Sequence, residues 1–213
     1  MYGAIEFYEA CHEAGIKPII GCEIFVRSDE GDKTYPMVLL AENYDGYRNL
    51  MAMCSEGHLN GLMNGKPTVR QEILAAYHGS LIALSGGLRG EISSLLVDGK
   101  MDEANRRARV YRDMFGSENF YFELQDHPAL SGQMEVNVAL SVLGATLQIP
   151  FVVTRDVHYL NTEDAEAQDV LTCIKEGWRV DDTKRETFRQ VDRSLNTEKD
   201  IRSRFRHVPD AVD

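Results

Sequence analysis

The sequence predicts an α/β protein in which helices alternate with the strands of a parallel sheet, closed or open. The 213 residues are enough for one domain of ordinary size or for two small ones. With 43% hydrophobic and 27% charged residues, the composition is globular and excludes disorder, collagen and coiled coil as the main state. Short apolar runs typical of strands alternate with segments of helical length, which is the pattern of βα units.

The charge balance limits the classes of partner. The chain has 23 basic and 34 acidic residues, a net charge of −11 with the histidines neutral. Such a surface repels phosphate backbones, so we do not expect unaided, tight binding to nucleic acid. Contact with DNA would need a local basic patch, a metal ion or a larger parent protein. We expect no membrane segment, because no apolar run approaches the roughly 20 residues of a span, and a cytoplasmic location.

The elements of the first half follow from periodicity and turn residues. An amphipathic helix starts the chain and ends before Gly15, in the position where a C-terminal glycine is expected. The segment 17–26 is continuously apolar, which predicts a buried strand. The elements expected after it are a polar loop at 27–34, a strand at 35–41, a helix at 45–56, a Gly/Asn-rich loop at 58–67, a short helix at 69–77 and a strand at 80–85.

The second half continues the alternation. Its expected elements are a helix at 101–115, a strand at 120–124, a helix at 133–147, a strand at 151–154, a helix at 162–174 that a Thr-Glu-Asp cap region opens, and a helix at 197–205 within a charged tail. Arginines cluster at 106–112, but Glu103 and Asp113 lie among them. We therefore expect a solvated helix face with ion pairs rather than a DNA-binding patch.

Two glycines and four cysteines have ordinary interpretations. Gly86 and Gly87 follow a strand and could hold a phosphate. Without a Lys-Thr pair or a third glycine, a tight turn is the better prediction. The cysteines at 11, 22, 54 and 173 have no CxxC spacing, so we expect reduced, buried thiols.

The candidate functional residues are the polar side chains where strands end, since chemistry gathers at the carboxyl ends of parallel strands. They are Glu23, Asp126, His127, Asp156 and His158. The spacing of Asp156 and His158 lets both point the same way from an extended segment. Carboxylate and imidazole suit zinc or manganese, and a pair of such ions can generate hydroxide and clamp a phosphodiester.

The alternative for these residues is structural. Most buried polar groups are simply paired, so a hydrogen-bonded cluster at the strand ends is the stronger expectation from spacing alone. The remaining histidines have weaker functional prospects, being on a helix, near loops or in the tail: His12, His58, His78 and His207.

Several segments in order resemble one known family. They include Gly21-Cys22-Glu23, Val38-Leu39-Leu40-Ala41, Leu81-Ile82-Ala83-Leu84-Ser85-Gly86, Phe122-Glu123-Leu124-Gln125-Asp126-His127 and Asp156-Val157-His158-Tyr159-Leu160. Together they resemble the polymerase-and-histidinol-phosphatase (PHP) domain found at the N-terminus of bacterial DNA polymerase III alpha subunits. The ordered set spans nearly the whole chain and is far more specific than any one motif.

The resemblance implies a distorted (β/α)7 barrel with a metal cluster at its strand ends. In metal-binding members the cluster supports 3′–5′ exonuclease or phosphoesterase chemistry. In degenerate members the domain stabilises the polymerase and docks a separate proofreading exonuclease. The catalytic aspartates of the polymerase lie downstream of this domain and are absent from the chain.

Departures from the family pattern define what we expect here. The HxH segment and first strands are missing, so Met1 resembles an internal methionine. The chain would then be a fragment truncated at both ends, with an incomplete barrel at 1–175 and a tail at 176–213 that leads toward the absent polymerase core. Pro36 and Gly87 stand where the family often has histidine and cysteine ligands.

We therefore expect a structural and docking module of the alpha subunit, with no catalytic residue in this chain. Glu23, Asp156 and His158 are its remnant metal ligands, and zinc or manganese is held weakly or not at all. Its expected partners are the rest of the alpha subunit, the proofreading exonuclease subunit and other replisome components, with DNA contacted only through the parent protein. The alternatives are a metal-dependent PHP phosphoesterase or 3′–5′ exonuclease, and an interaction module with no catalytic past.

Overall fold

The structure, a computed structural model, describes residues 2–29, 32–182, 185, 187, 190–206, 208, 211 and 212; His207 lies outside them. The chain divides into two units. Unit 1 comprises Met1–Glu123 and Ala139–Pro150, and unit 2 comprises Leu124–Val138 and Phe151–Asp213.

The strands are β1 (Gly21–Arg27), β2 (Thr34–Ala41), β3 (Leu62–Met63), β4 (Lys66–Pro67), β5 (Leu81–Leu84), β6 (Phe120–Gln125) and β7 (Phe151–Thr154). The helices are α1 (Ala4–Glu13), α2 (Tyr44–Leu59), α3 (Gln71–Tyr77), α4 (Glu91–Val97), α5 (Met101–Phe115), α6 (Gln133–Leu147), α7 (Ala165–Glu176) and α8 (Glu198–Arg204). The α/β class is therefore confirmed. In the part of the chain that the structure describes, no helix is long and apolar enough to cross a membrane.

The main sheet of unit 1 is mixed, so the expectation of a parallel sheet is wrong for two of its three strand pairs. β1 pairs antiparallel with β2, and β2 pairs antiparallel with β5. β5 and β6 are parallel, with Ala83 opposite Phe120. The short loop between β1 and β2 accounts for the first pair, because a parallel connection needs a crossover of about a dozen residues or more.

β1 is half exposed rather than fully buried, which corrects a second expectation. Ile24 and Val26 are buried, whereas Glu23, directly before Ile24, is exposed. β1 is the first strand in the order β1-β2-β5-β6 and pairs with β2. An antiparallel strand commonly packs one face on the core and leaves the other in solvent, so an apolar run does not by itself indicate a fully buried strand.

The loop at 58–67 contains a small hairpin that periodicity did not predict. β3 and β4 pair across Asn64 and Gly65, whose φ angles are 52° and 78°. Two central residues with positive φ match a type I′ turn, for which Asn-Gly is the preferred sequence. The Asn64-Gly65 dipeptide is therefore the sequence feature from which the hairpin could have been predicted.

The core of unit 1 lies between the sheet and the apolar face of α5. Ala104, Ala108, Tyr111 and Phe115 are buried at helical spacing. The Tyr111 and Phe120 ring centroids are 5.7 Å apart. The predicted bounds of α5 are confirmed because its apolar stripe is regular over all 15 residues.

One arginine of α5 is buried, which corrects the expectation of a solvated face. Arg107 is 4% exposed and donates to Glu91 at 2.9 Å and to Asp29 at 2.7 Å. Tyr111 donates to the same Glu91 carboxylate at 2.5 Å. Glu91 begins α4, a helix that the sequence analysis did not predict, so its pairing with α5 was not foreseen. Arg106, Arg109 and Arg112 make the expected surface contacts.

Gly86 and Gly87 form the predicted tight turn after β5. Both have positive φ, and a Cβ on Gly86 would overlap the carbonyl oxygen of Pro36. The Gly86 amide donates to the Glu123 carboxylate at 3.1 Å. This carboxylate satisfies a backbone donor that a phosphate would otherwise use.

Unit 2 contains two well-capped helical segments. Asn161 and Asp164 form a capping box at a 3₁₀ turn, Thr162–Asp164, that leads into α7. Thr197 and Asp200 form another at the start of α8. Asp169 is fully buried on α7, and Arg185 binds it through two bonds of 2.7 Å.

Candidate functional site

Glu23, the first predicted ligand, lies within a strand rather than after one. It is the third residue of β1, stands opposite Val38 on β2, and is exposed. The expectation that this position follows its strand is therefore wrong. No burial penalty applies to its carboxylate, because the side chain faces solvent. Pro36 lies in β2 and Gly87 in the turn after β5, so neither adds a side-chain ligand to unit 1.

The other four predicted residues belong to unit 2 and follow strand ends, as expected. Asp126 and His127 come directly after β6, and Asp156 and His158 come after β7. Gln125 and Thr154, the last residues of the two strands, are joined by a 3.1 Å side-chain hydrogen bond. The two strand ends are therefore neighbours in unit 2.

Arg155 connects these two strand ends. Its side chain is 5% exposed, and Nη1 donates to the Asp126 carbonyl oxygen at 2.7 Å. Its Nη2 donates to the carbonyl oxygen and the carboxylate of Asp192 at 3.1 and 3.3 Å. Burial lowers the pKa of Arg155, and the nearby Arg204 lowers it further. The guanidinium is nevertheless charged at neutral pH, since an arginine is effectively always protonated.

Asp156 is held by two cationic or polar partners. One carboxylate oxygen forms an ion pair with Arg193, and the other lies 3.1 Å from Nε2 of His158. Asp156 has a φ of 47°, a left-handed conformation that aspartate tolerates better than most residues. The predicted Asp156–His158 pair is therefore real, and it belongs to a hydrogen-bonded cluster.

The tail contributes the backbone that positions this cluster. The amide of His158 donates to the carbonyl of Arg193 at 3.0 Å, and the amide of Leu195 donates to the carbonyl of Tyr159 at 3.0 Å. The Tyr159 hydroxyl accepts from the Arg193 amide at 2.9 Å and donates to the Val191 carbonyl at 3.3 Å. Segment 191–195 thus runs beside 157–159 like a short parallel strand.

His127 is the most deeply buried of the predicted residues, at 2% exposed. Burial, together with the positive charges of Arg193 and Arg155, lowers its pKa to about 4. The imidazole is therefore neutral at pH 7. Its Nε2 atom is buried and has no hydrogen-bond partner among the residues that the structure describes.

Three arginines and a third aspartate complete the cluster, and sequence reasoning missed them. Arg155, Arg193 and Arg204 face Asp126, Asp156 and Asp192; Arg204 donates to the Asp126 carboxylate at 2.8 Å. Partial burial raises the pKa of Asp192, but hydrogen bonds from Ser194 and the charge of Arg155 bring it below its usual range. The sequence feature that could have indicated this charged cluster is Arg155, a cation directly before the Asp156–His158 motif.

The donor set does not fit a metal cluster. The Asp156 carboxylate is already paired with the guanidinium of Arg193. A cation bound to a carboxylate competes with a metal ion for the same oxygen atoms. Within the described ranges, no group of three or more His, Cys, Asp or Glu side chains is placed to hold a metal ion. Asp156 and His158 alone would supply two ligands, fewer than the three protein ligands of a typical catalytic zinc site.

The thiols also differ from expectation. Cys173 is buried as predicted, but Cys11, Cys22 and Cys54 are only partly buried. The four cysteines are free, and the sulfur atoms of Cys22 and Cys54 lie 3.7 Å apart.

Comparison with known proteins identifies relatives over the full chain. The chain is 40% identical over 221 residues to the DNA polymerase III subunit alpha of Treponema pallidum, and the match covers 100% of the chain and 19% of the relative. It is 32% identical to the same subunit of Borreliella burgdorferi, again over 100% of the chain and 19% of the relative. The corresponding Bacillus subtilis protein is 32% identical, over 100% of the chain and 18% of the relative.

The chain therefore spans about a fifth of the length of these relatives. A family model described as "PHP domain" matches residues 1–127. Since this is more than half of the 213 residues, the chain belongs to the PHP domain family.

Proposed function

We propose that this chain is the PHP segment of a DNA polymerase III alpha subunit and acts there as a structural and docking module with a degenerate metal site. The observation that supports degeneracy best is the ion pair between Arg193 and Asp156. The matches to three alpha subunits, each over the whole of this chain, support the polymerase context.

The electrostatics of unit 2 favour a scaffold over a catalyst. Each of the three clustered aspartates has an arginine partner, so no excess negative charge is left to attract a divalent cation. His127 is neutral and buried. In unit 1, Pro36 and Gly87 offer no ligand atoms. Glu23, Asp156 and His158 are, on this proposal, remnants of a ligand set.

The finer fold is part of the same proposal. We expect a distorted (β/α)7 barrel that is incomplete in this chain, with 1–175 as its partial barrel domain and 176–213 as a tail toward the polymerase core. The alternation of helices and strands supports a PHP-type fold, and the match of residues 1–127 supports it independently.

The proposed partners follow from the context of the relatives. They are the rest of the alpha subunit, the proofreading exonuclease subunit and other replisome components. DNA would be contacted only through the parent protein, because the net charge of −11 opposes direct binding. The compartment would be the cytoplasm. The polymerase reaction itself, transfer of a nucleotide to a primer, would belong to the parent and not to this segment.

A second function has one observation in its favour. Asp156 and His158 are in contact, and such a pair could bind a metal ion in a phosphoesterase or a 3′–5′ exonuclease. The arginine on Asp156 argues against this alternative, but metal content can decide between the two.

The first experiment measures metal bound to the 213-residue chain. The protein is purified from medium containing zinc and manganese and analysed for elemental content, beside a variant with both Asp156→Ala and His158→Ala. We expect far less than one ion per chain in both. Two or more tightly held ions, lost in the variant, would establish the metal-dependent enzyme instead.

The second experiment tests the polymerase context. An alpha subunit that contains this chain is compared with its Glu23→Ala, Asp156→Ala, His158→Ala variant in primer extension. We expect nearly unchanged extension. A severe loss, with circular dichroism showing a folded protein, would contradict the degenerate-site proposal. Absence of extension in the unsubstituted protein would instead contradict the polymerase context.

A further inference from the structure

Two cysteines that are far apart in sequence are neighbours in unit 1. Cys22 on β1 and Cys54 on α2 are separated by 32 positions, and their Sγ atoms lie 3.7 Å apart. Both side chains are only partly buried, so a small oxidant can reach them from solvent. Neither residue takes part in the cluster of unit 2.

The local fold explains why the thiols meet. Side chains alternate across a strand, so Cys22 shares the face of Ile24 and Val26, both of which are buried. Leu50 and Met53 of α2 are fully buried, and Cys54 follows Met53 directly. The thiol pair therefore lies at the margin of this packed interior, between a strand and a helix of the same unit.

We propose that Cys22 and Cys54 form an oxidation site, in which hydrogen peroxide converts the two thiols reversibly into an intrachain disulfide. The proposal rests on the sulfur–sulfur distance and on the access of both thiols to solvent. It is independent of the proposed role in a polymerase.

The reaction balances with one peroxide molecule. The Cys54 thiolate attacks one peroxide oxygen, the O–O bond breaks, and the leaving hydroxide takes a proton to become water. Cys54 is then a sulfenic acid. Cys22, after losing its proton, attacks the Cys54 sulfur; the S–O bond breaks and a second water forms. The two sulfurs lose two electrons in all, and two equivalents of an external thiol restore them.

The hydrogen bond between the thiols favours Cys54 as the attacking group. The contact with Cys22, in which either sulfur can be the donor, lowers the pKa of Cys54 to about 6, against the opposing effect of burial, and the nearby His58 contributes in the same direction. The thiolate is the reactive form of cysteine, so the lower pKa selects Cys54.

The geometry needs only a modest adjustment. A disulfide has an S–S distance of about 2.05 Å, so the sulfurs must approach by less than about 2 Å from their present separation. Cys22 is the second residue of β1, at the edge of the sheet, where the strand has one neighbouring strand rather than two. A small shift of this strand end is compatible with the remaining pairs to β2.

The experiment exposes the 213-residue chain to hydrogen peroxide, blocks the remaining thiols with iodoacetamide, and maps disulfides in unreduced peptides by mass spectrometry. The variants are Cys22→Ser, Cys54→Ser and, as a matched control, Cys11→Ser, which removes another partly buried thiol. We expect a Cys22–Cys54 peptide in the unsubstituted chain and in the Cys11→Ser control, and its disappearance after treatment with dithiothreitol.

The single variants test the order of the steps. Cys22→Ser should accumulate a sulfenic acid at Cys54, trapped by dimedone. In the unsubstituted chain, Cys54 should react several-fold faster than Cys11 at pH 7. The advantage is modest because a larger thiolate fraction is partly offset by lower nucleophilicity. Mixed pairings in the unsubstituted chain, or Cys11 reacting faster than Cys54, would overturn the proposal. If a variant fails to fold, the disulfide map of the unsubstituted chain still tests the proposal.

Discussion

Arg155 Nη1 donates to the Asp126 carbonyl oxygen at 2.7 Å, so the residue after β7 holds the residue after β6. The same guanidinium reaches Asp192 in the tail. One buried cation thereby connects three parts of unit 2 that are distant in sequence. The candidate site is organised around this arginine more than around the predicted ligands.

Replacing Arg155 with alanine should destabilise unit 2 strongly. The change leaves the Asp126 carbonyl without its Arg155 donor and removes a cation from the partly exposed Asp192 carboxylate, so we expect a loss of about 1–3 kcal/mol. Urea unfolding followed by circular dichroism measures the effect. The matched control is Arg179→Ala: that arginine is 83% exposed, and its loss should leave the stability nearly unchanged. Equal effects of the two substitutions would show that Arg155 is not structural.

A second pair of substitutions tests the buried network of α5. Arg107→Ala removes the guanidinium that faces Glu91 and Asp29 and leaves the buried Glu91 carboxylate short of a cation. We expect a loss of about 3 kcal/mol or more in the free energy of unfolding. Arg109→Ala, on the exposed side of the same helix, should cost only a few tenths of a kcal/mol. Unfolding of both variants at the same urea concentration would contradict the structural role of Arg107.

The turn after β5 gives a test of backbone conformation. Gly86→Ala combines a φ of 85° with a Cβ that overlaps the Pro36 carbonyl, so we expect a loss of at least about 3 kcal/mol. Gly99→Ala provides the control, since Gly99 has a φ of 73° but open space around it. Left-handed strain alone should cost about 1–2 kcal/mol there. Thermal unfolding curves distinguish the two, and a Gly86 variant as stable as the Gly99 variant would contradict the close approach.

His127 should make stability fall in mild acid. Its pKa is about 4 in the folded chain and about 6.5 when unfolded, so between these values only the unfolded state takes up the proton. The contribution is complete above pH 6.5 and is lost as the pH falls toward 4, at up to about 1.4 kcal/mol per pH unit.

The test compares the pH dependence of unfolding in His127→Gln with that of the unsubstituted chain. The variant should lose stability less steeply between pH 6.5 and 4.5. His12→Gln serves as the control, because it removes a histidine that is exposed on α1. Parallel curves for all three proteins would mean that His127 is accessible to protons in the folded state.

The elements that the sequence predicted best are those whose signal is local. The bounds of α5 and α6 were predicted correctly because each has a long helical period. The pairing of β1 and β2 depended on the length of a loop rather than on the strands themselves, and the apolar run of β1 concealed an exposed Glu23.

The candidate site was predictable only in part. The Asp156–His158 contact follows from spacing along an extended segment. The hydrogen bond between Arg204 and Asp126 joins residues that are 78 positions apart, and no local sequence pattern predicts such a contact. Arg193 reaches Asp156 because segment 191–195 pairs with 157–159. This pairing is a long-range tertiary contact made by a segment that we expected to be a tail.

The backbone pairing of segment 191–195 has a consequence for any shortened form of the chain. A protein ending near residue 175 would lack Asp192 and Arg193, leaving Arg155 short of an anion and Asp156 short of a cation. Arg155 would keep the Asp126 carboxylate at 3.8 Å, whereas Asp156 would lose the guanidinium of Arg193. The tail therefore supplies charges that compensate those of Arg155 and Asp156 at the end of β7. Removing the tail would leave these two residues less well compensated.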